Sequence, residues 1–140
     1  MVAVPYVMNN RAQISIVIPI YNEQCNIREV YRMLNGVLHH SNWSYEIIFV
    51  DDGSNDASFE ILRNLHNEDR RVKVIKLIKN FGQAMALLAG FEYAEGQIII
   101  TMDGDLQNDP SDIPNFVAKI EEGFDIVSGC RWKRWDTLVR

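Results

Sequence analysis

The run Ile98-Ile99-Ile100-Thr101-Met102-Asp103-Gly104-Asp105-Leu106-Gln107 carries an apolar strand straight into two carboxylates one residue apart. A strand of this kind ends where the chain leaves the core, and in open α/β sheets ligands collect at the carboxyl ends of strands. Carboxylates at i and i+2 can hold a hard divalent cation, Mg2+ or Mn2+, with Gln107 adding a neutral oxygen and substrate phosphates completing the shell. Gly104 leaves the backbone between them free to turn. Surface turns also use Asp and Gly freely; the Ile-rich strand in front favours a site.

Two other stretches bear groups of complementary chemistry. Pro19-Ile20-Tyr21-Asn22-Glu23 offers an aromatic ring for stacking and a carboxylate, and Asp51-Asp52-Gly53-Ser54 offers two more carboxylates able to accept from a base or ribose. Alone, Tyr21 is a residue packing at a strand end, and Asp51 and Asp52 are an N-cap and turn pair. Together with Asp103 and Asp105 they describe a pocket for a nucleoside diphosphate. Neither a Walker loop nor a Gly-x-Gly-x-x-Gly turn is present, so phosphate neutralisation falls to a cation.

The elements that must position these groups follow from periodicity. β-Branched or continuous apolar runs at 14–20, 45–50, 72–77, 98–101 and 124–128 read as strands. Between them, apolar residues at helical spacing predict helices over 26–39, 57–66, 81–94 and 110–119, the third closed by Gly96 as a left-handed cap and the fourth by Gly123. Strict alternation of strand and helix predicts an α/β fold, a mostly parallel sheet with helices on both faces. That architecture puts the three acidic strand ends on one edge. Ala84, Ala86, Ala89 and Gly90 read as a close helix-sheet contact, and His39, His40 and His66 as solvated.

With 140 residues, 47% of them hydrophobic, the chain suits one compact domain. We divide it into a flexible N-terminal arm over 1–12, a domain over 13–130 and a basic, aromatic tail over 131–140. A net charge of −5 gives no pull toward nucleic acid. Cys25 and Cys130 are too few for a disulfide framework, which points to a reducing, cytoplasmic compartment. No secretory leader and no run of about 20 apolar residues is evident. The tail sets Arg131, Lys133, Arg134 and Arg140 against Asp136 beside Trp132 and Trp135, either a membrane-interface anchor or a surface meant to be covered by a missing C-terminal region.

In motif order and spacing the chain resembles the family 2 glycosyltransferases of the Rossmann-like, nucleotide-sugar-binding GT-A fold. Within these it is most similar to the polyprenyl-phosphate glycosyltransferases, such as dolichol-phosphate mannose synthase. The motifs are Ile16-Val17-Ile18-Pro19-Ile20-Tyr21-Asn22-Glu23, Ile48-Phe49-Val50-Asp51-Asp52-Gly53-Ser54, Asn80-Phe81-Gly82, Met102-Asp103-Gly104-Asp105-Leu106-Gln107 with Pro110, and Ser128-Gly129-Cys130-Arg131. The resemblance implies that Pro19, Tyr21 and Glu23 line the nucleoside, Asp52 contacts the base, and Asp103 lies near ribose and diphosphate. It implies Asp105 and Gln107 as metal ligands and Arg131 as facing phosphates, with Asp103, Asp105 and Arg131 serving catalysis. The donor would be a UDP- or GDP-linked sugar, the acceptor a polyprenyl phosphate, and the place the cytoplasmic face of a membrane reached through the C-terminal region; a homo-oligomer is compatible. Departures from the family pattern are Lys79, Gln83 and Gly104. Two alternatives stand beside this reading, a non-catalytic nucleotide-sugar-binding fragment and a receiver-like signalling domain.

Overall fold

Ile and Val are stiff at χ1 and fit a pleated surface better than a helix, so the runs they dominate become strands. The computed structural model describes residues 1–5 and 12–129. Their order is β1 (Val2–Pro5), β2 (Ala12–Ile20), α1 (Ile27–Leu38), β3 (Tyr45–Asp51), α2 (Ser58–Glu68), β4 (Val72–Lys76), α3 (Gln83–Tyr93), β5 (Gly96–Thr101), a 3-10 turn (Pro110–Asp112), α4 (Ile113–Glu121) and β6 (Val127–Ser128). Among the described residues these strands form one sheet ordered β4-β3-β2-β5-β1-β6. β4, β3, β2 and β5 run parallel, as expected, while β1 is antiparallel to both of its neighbours.

From β2 the chain steps outward through β3 to β4 and then returns to the other side of β2 to lay down β5. Right-handed crossovers place helices on opposite faces when the direction reverses. Accordingly α1 and α2 cover one face, through Val30, Leu34, Leu38, Leu62 and Leu65, and α4 joins them with Ile113, Phe116 and Val117. α3 covers the other face, against Val17, Ile48, Val50 and Ile99. β3 is buried along its whole length, and each such Ile or Val stabilises the fold by about 1.5–3 kcal/mol. Three of the four small residues of α3 make the close contact expected of them: Ala86 is buried, Ala89 packs beside it, and a Cβ on Gly90 would run into Val17 Cγ1 and come within 3.2 Å of Val50 Cγ2; Ala84, expected in the same contact, is exposed.

At the edge of the sheet away from the acidic strand ends, buried Glu46 takes the Ser15 hydroxyl at 2.5 Å and the Glu95 N–H at 2.7 Å. Lys73 Nζ closes the cluster at 2.6 Å. A second polar cluster pins the turn after α2, where Asp69 accepts from Arg71 Nη2 at 2.8 Å and from the Tyr31 hydroxyl at 2.9 Å. Hydrogen bonding from Arg71 outweighs burial and holds the Asp69 carboxyl below the ordinary carboxylate range.

Several expectations are corrected. Val2–Pro5, placed in a flexible arm, form a strand whose alternating Val residues pair with β5 from Val2↔Thr101 to Pro5↔Ile98. Gly96 is not a left-handed cap: α3 ends at Ala94 in extended backbone. Gly96 instead opens β5, where a Cβ would lie 2.5 Å from the Ser15 nitrogen. The last predicted strand shrinks to Val127–Ser128, which among the described residues pair with the start of β1, and Phe124 and Ile126 are exposed. His66 is half-buried and bonded, its Nδ1 lying 2.6 Å from the Val72 carbonyl. Cys130, Arg131 and the rest of the predicted tail lie outside the described residues.

Two outcomes test this packing. Gly90→Ala is expected to lower unfolding free energy in urea by about 1–3 kcal/mol through overpacking against Val17. Because the folded pKa of Asp69 is depressed, its stabilising contribution is present above the unfolded carboxylate value of about 3.9 and disappears as pH falls through the folded value. Asp69→Asn is therefore expected to be less stable than the parent at pH 7, with the gap closing in acid, read from urea curves at both pH values.

Candidate functional site

The reversal of strand order at β2 leaves a crevice at the carboxyl ends of β2 and β5, the position where open α/β sheets bind ligands. A cavity of about 380 Å³ occupies it, lined by Pro19, Ile20 and Tyr21 from the end of β2, Glu23, Asp52 after β3, Asn80, Gly82 and Gln83 at the start of α3, and Asp103, Gly104 and Asp105 after β5. Tyr21 is half-exposed and lines the cavity. The structure thus brings together Pro19, Tyr21, Glu23, Asp52, Asp103 and Asp105, each singled out in the sequence.

Local chemistry explains the conformation of each loop. Asn22 adopts a positive φ of 56°, its N–H donating to Ser54 Oγ at 2.9 Å and its side-chain oxygen accepting from the Asn55 N–H at 2.9 Å. One residue on, the Glu23 N–H donates to Ser58 Oγ at 2.9 Å, and Glu23 Oε2 accepts from Asn26 Nδ2 at 2.6 Å. The Gln24 N–H donates to Asp56 Oδ2 at 3.2 Å while Gln24 Oε1 accepts the Ala57 N–H at 3.0 Å. Burial raises the Asp56 carboxyl, but hydrogen bonds from Ser58 and Gln24 outweigh it and hold the group below its ordinary range. The loops after β2 and β3 are therefore stitched into one rim.

The Asp-Asp-Gly-Ser run now resolves residue by residue. Asp51 is fully buried and takes the Ser54 N–H at 3.3 Å. Asp52, only 3% exposed, accepts the Phe81 N–H on one oxygen at 2.7 Å and the Gly82 N–H on the other at 2.8 Å. Gly53, at φ 69°, leaves room that a Cβ would lose to the backbone of Lys79 and Asn80. Asp52 was expected to contact a base; its two oxygens instead already hold the loop that leads into α3, and any ligand contact comes on top of that duty.

The carboxylates after β5 are held from both sides. Asp103 Oδ1 accepts from Gln83 Nε2 at 2.7 Å, and the Asp103 N–H donates to Asn108 Oδ1 at 3.1 Å. Leu106, at φ 65°, turns the chain so that the Gln107 N–H donates to Asp105 Oδ1 at 3.0 Å. That turn also joins the two residues expected to share a metal through this backbone bond. Asp105 lines the main cavity, whereas Gln107 lines an adjacent one of about 280 Å³ with Asp103, Asn108, Asp109 and Asp112. No group of three or more His, Cys, Asp or Glu suited to a metal occurs among the described residues. The donors present, two carboxylates and an amide, are an all-oxygen set short of a full shell, which fits Mg2+ or Mn2+ completed by phosphate oxygens. Asn80, Gly82, Gln83 and Asn108 were not among the site residues expected; the Asn80-Phe81-Gly82 run was the sequence signal for the first two.

The sequence matches the profile of Glycosyl transferase family 2 over residues 15–138. The chain belongs to this family. It is 43% identical over 127 residues to the "Uncharacterized glycosyltransferase YkcC" of Bacillus subtilis (strain 168), covering 91% of this chain and 39% of that protein. It is also 43% identical over 129 residues to the "Undecaprenyl-phosphate 4-deoxy-4-formamido-L-arabinose transferase" of Salmonella enteritidis PT4, again covering 91% and 39%. Among solved structures it matches S. aureus TarS 1-349 in complex with UDP-GlcNAc at a TM-score of 0.65 and 24% identity, over 79% of this chain and 31% of that one. It matches the mannosyltransferase PcManGT from Pyrobaculum calidifontis in complex with GDP-Man and Mn2+ at 0.62 and 21%, over 79% and 32%. The structural likeness shows the GT-A fold, and family membership sets aside the receiver-like alternative. The chain spans about 39% of the length of the curated relatives it matches.

Removing the Asp52 carboxylate tests the rim directly. Asp52→Ala is expected to raise hydrogen exchange at the Phe81 and Gly82 amides above that of the parent and to cost about 2–4 kcal/mol, two hydrogen bonds to a buried charge.

Proposed function

We propose that this chain carries the donor-binding part of an inverting glycosyltransferase that moves a sugar from a UDP- or GDP-linked donor to a polyprenyl phosphate. The observation that carries the proposal is the cavity at the β2/β5 crevice, which joins an aromatic ring, Tyr21, to the carboxylates of Glu23, Asp52, Asp103 and Asp105. The 43% identity to an undecaprenyl-phosphate sugar transferase supports the acceptor class, and the UDP-GlcNAc and GDP-Man complexes of the structural neighbours support the donor class.

On this reading Pro19, Tyr21 and Glu23 receive the nucleoside, with Glu23 steered by Asn26, while Asp52 fixes the far wall. Asp103 lies by the ribose and diphosphate. Asp105, with Gln107 approaching from the neighbouring cavity, would hold the cation, which when bound neutralises charge on the departing nucleoside diphosphate. An acceptor phosphate oxygen attacks the anomeric carbon as the bond to the diphosphate oxygen breaks on the opposite side, so the anomeric centre inverts. Phosphate monoesters lose their second proton near pH ~6, so this nucleophile needs no strong general base. Positioning and charge compensation carry the step, and Arg131 completes the phosphate contacts. No helix among the described residues is long and apolar enough to cross a membrane; contact with the cytoplasmic face would come from the remainder of a longer protein, and a homo-oligomer is compatible with this arrangement.

Calorimetric titration of UDP and of GDP, each with and without Mn2+ or Mg2+, tests the proposal. One nucleotide is expected to bind with metal, and Asp105→Ala to weaken it by roughly tenfold or more, about 1.4 kcal/mol. A folded parent chain that binds neither nucleotide sinks the reading.

A further inference from the structure

The cavity is one-sided in charge. Its described lining holds Glu23, Asp52, Asp103 and Asp105 and no Lys or Arg. The nearby cation Lys79 is turned onto the Phe81 ring, with its Nζ 5.1 Å from the ring centroid. Among the neutral residues of this lining, Gln83 is bonded to the acidic wall, its Nε2 donating to Asp103 Oδ1 at 2.7 Å.

Gln83 is placed there by the residues before it. It is the first residue of α3, and the Gly82 that precedes it has φ 92°, a conformation glycine adopts freely. The Gly82 N–H is fixed on Asp52, and the Gly82 carbonyl accepts the Met85 N–H at 3.1 Å and the Ala86 N–H at 3.2 Å. A continuous chain of bonds therefore runs from Asp52 after β3, through Gly82 and Gln83, to Asp103 after β5, along the lining of the cavity. On the other side Asn108 holds the Asp103 backbone. Both supports are uncharged amides: Gln83 orients the carboxylate and Asn108 the backbone, and neither offsets the charge.

Building on the nucleotide reading above, we propose that Gln83 is the positioning residue for Asp103, and that its neutrality makes capture of a diphosphate depend on a divalent cation. Against the described lining a diphosphate brings further negative charge to four carboxylates and meets no cationic side chain, so on this wall, apart from the contact assigned to Arg131, the attraction falls to the divalent cation. With Gln83 fixing Asp103 Oδ1, the second oxygen of that carboxylate keeps a set direction toward ribose and diphosphate. A cationic side chain at the same place would make the same bond to Asp103 and also attract the diphosphate.

The test compares the parent, Gln83→Ala and Gln83→Lys by calorimetry, using UDP or GDP, whichever the parent binds, with and without Mn2+, and the matching nucleoside without phosphates. Gln83 is exposed, so both variants are expected to fold, checked by circular dichroism. Gln83→Ala should weaken the Mn2+-dependent nucleotide affinity by roughly three- to tenfold while leaving the nucleoside unchanged. Gln83→Lys should raise the metal-free nucleotide affinity by roughly three- to tenfold and shrink the enhancement given by Mn2+. A simple packing role would move nucleoside and nucleotide together and could not make the two variants differ in opposite directions. Equal Mn2+ enhancement in all three proteins overturns the assignment of Gln83 alone. Failure of the parent to bind either nucleotide overturns the nucleotide reading and this proposal with it.

Discussion

The arrangement of the site depends on one buried charge. Asp52 is almost wholly withdrawn from water, and a carboxylate so placed is costly unless its oxygens are satisfied. It finds its partners in two consecutive backbone N–H groups, those of Phe81 and Gly82. This choice of backbone over side-chain donors has wide effects. It fixes where the loop after β4 must lie, which sets the start of α3 and brings Gln83 to Asp103. It also requires Gly53, since the backbone of Lys79 and Asn80 passes where a Cβ would stand. A structural bond after one strand thereby governs the geometry of carboxylates after another.

The same economy marks the whole acidic edge. The loop after β2 is tied to the loop after β3 through Asn22, Glu23 and Gln24, and each of these bonds joins a side chain to a backbone N–H. Such bonds give the rim its shape without apolar packing, which is confined to the sheet faces below. The polar cluster of Glu46, Ser15 and Lys73 does the corresponding work at the far end of the strands. Between these two polar bands the parallel strands are held by burial.

How much of this could be read from the chain alone varies with the range of the interaction. The Ile- and Val-rich strands, the amphipathic helices and the gathering of acidic strand ends all follow from local pattern, and they were legible. Residues that act through distant partners were not. Nothing near Asp52 in sequence shows that its oxygens will be taken by Phe81 and Gly82, 29 and 30 residues away. Asp105 and Gln107 look like independent ligands in the sequence, and nothing in their spacing shows that the positive φ of Leu106 turns the Gln107 N–H onto Asp105 Oδ1. Val2–Pro5 carry a short β-branched pattern whose pairing partner, β5, lies almost a hundred residues on, and Gly96 was misread because a glycine after a helix serves caps and close strand contacts equally well.

The strand order β4-β3-β2-β5 has a consequence for how the molecule acquires its site. β2, β3 and β4 follow one another with one helix between each pair, a local series that can assemble as the chain emerges. β5 must then bypass two strands and dock on β2, pairing Ile14 with Ile98. Non-local pairings of this kind form slowly, because loop-closure entropy is spent before the contacts return it. The crevice does not exist until that docking is complete, since one of its walls is β5 itself. Ligand capture is therefore a late event in the folding history, and a bound nucleotide would report that the last parallel strand has found its place.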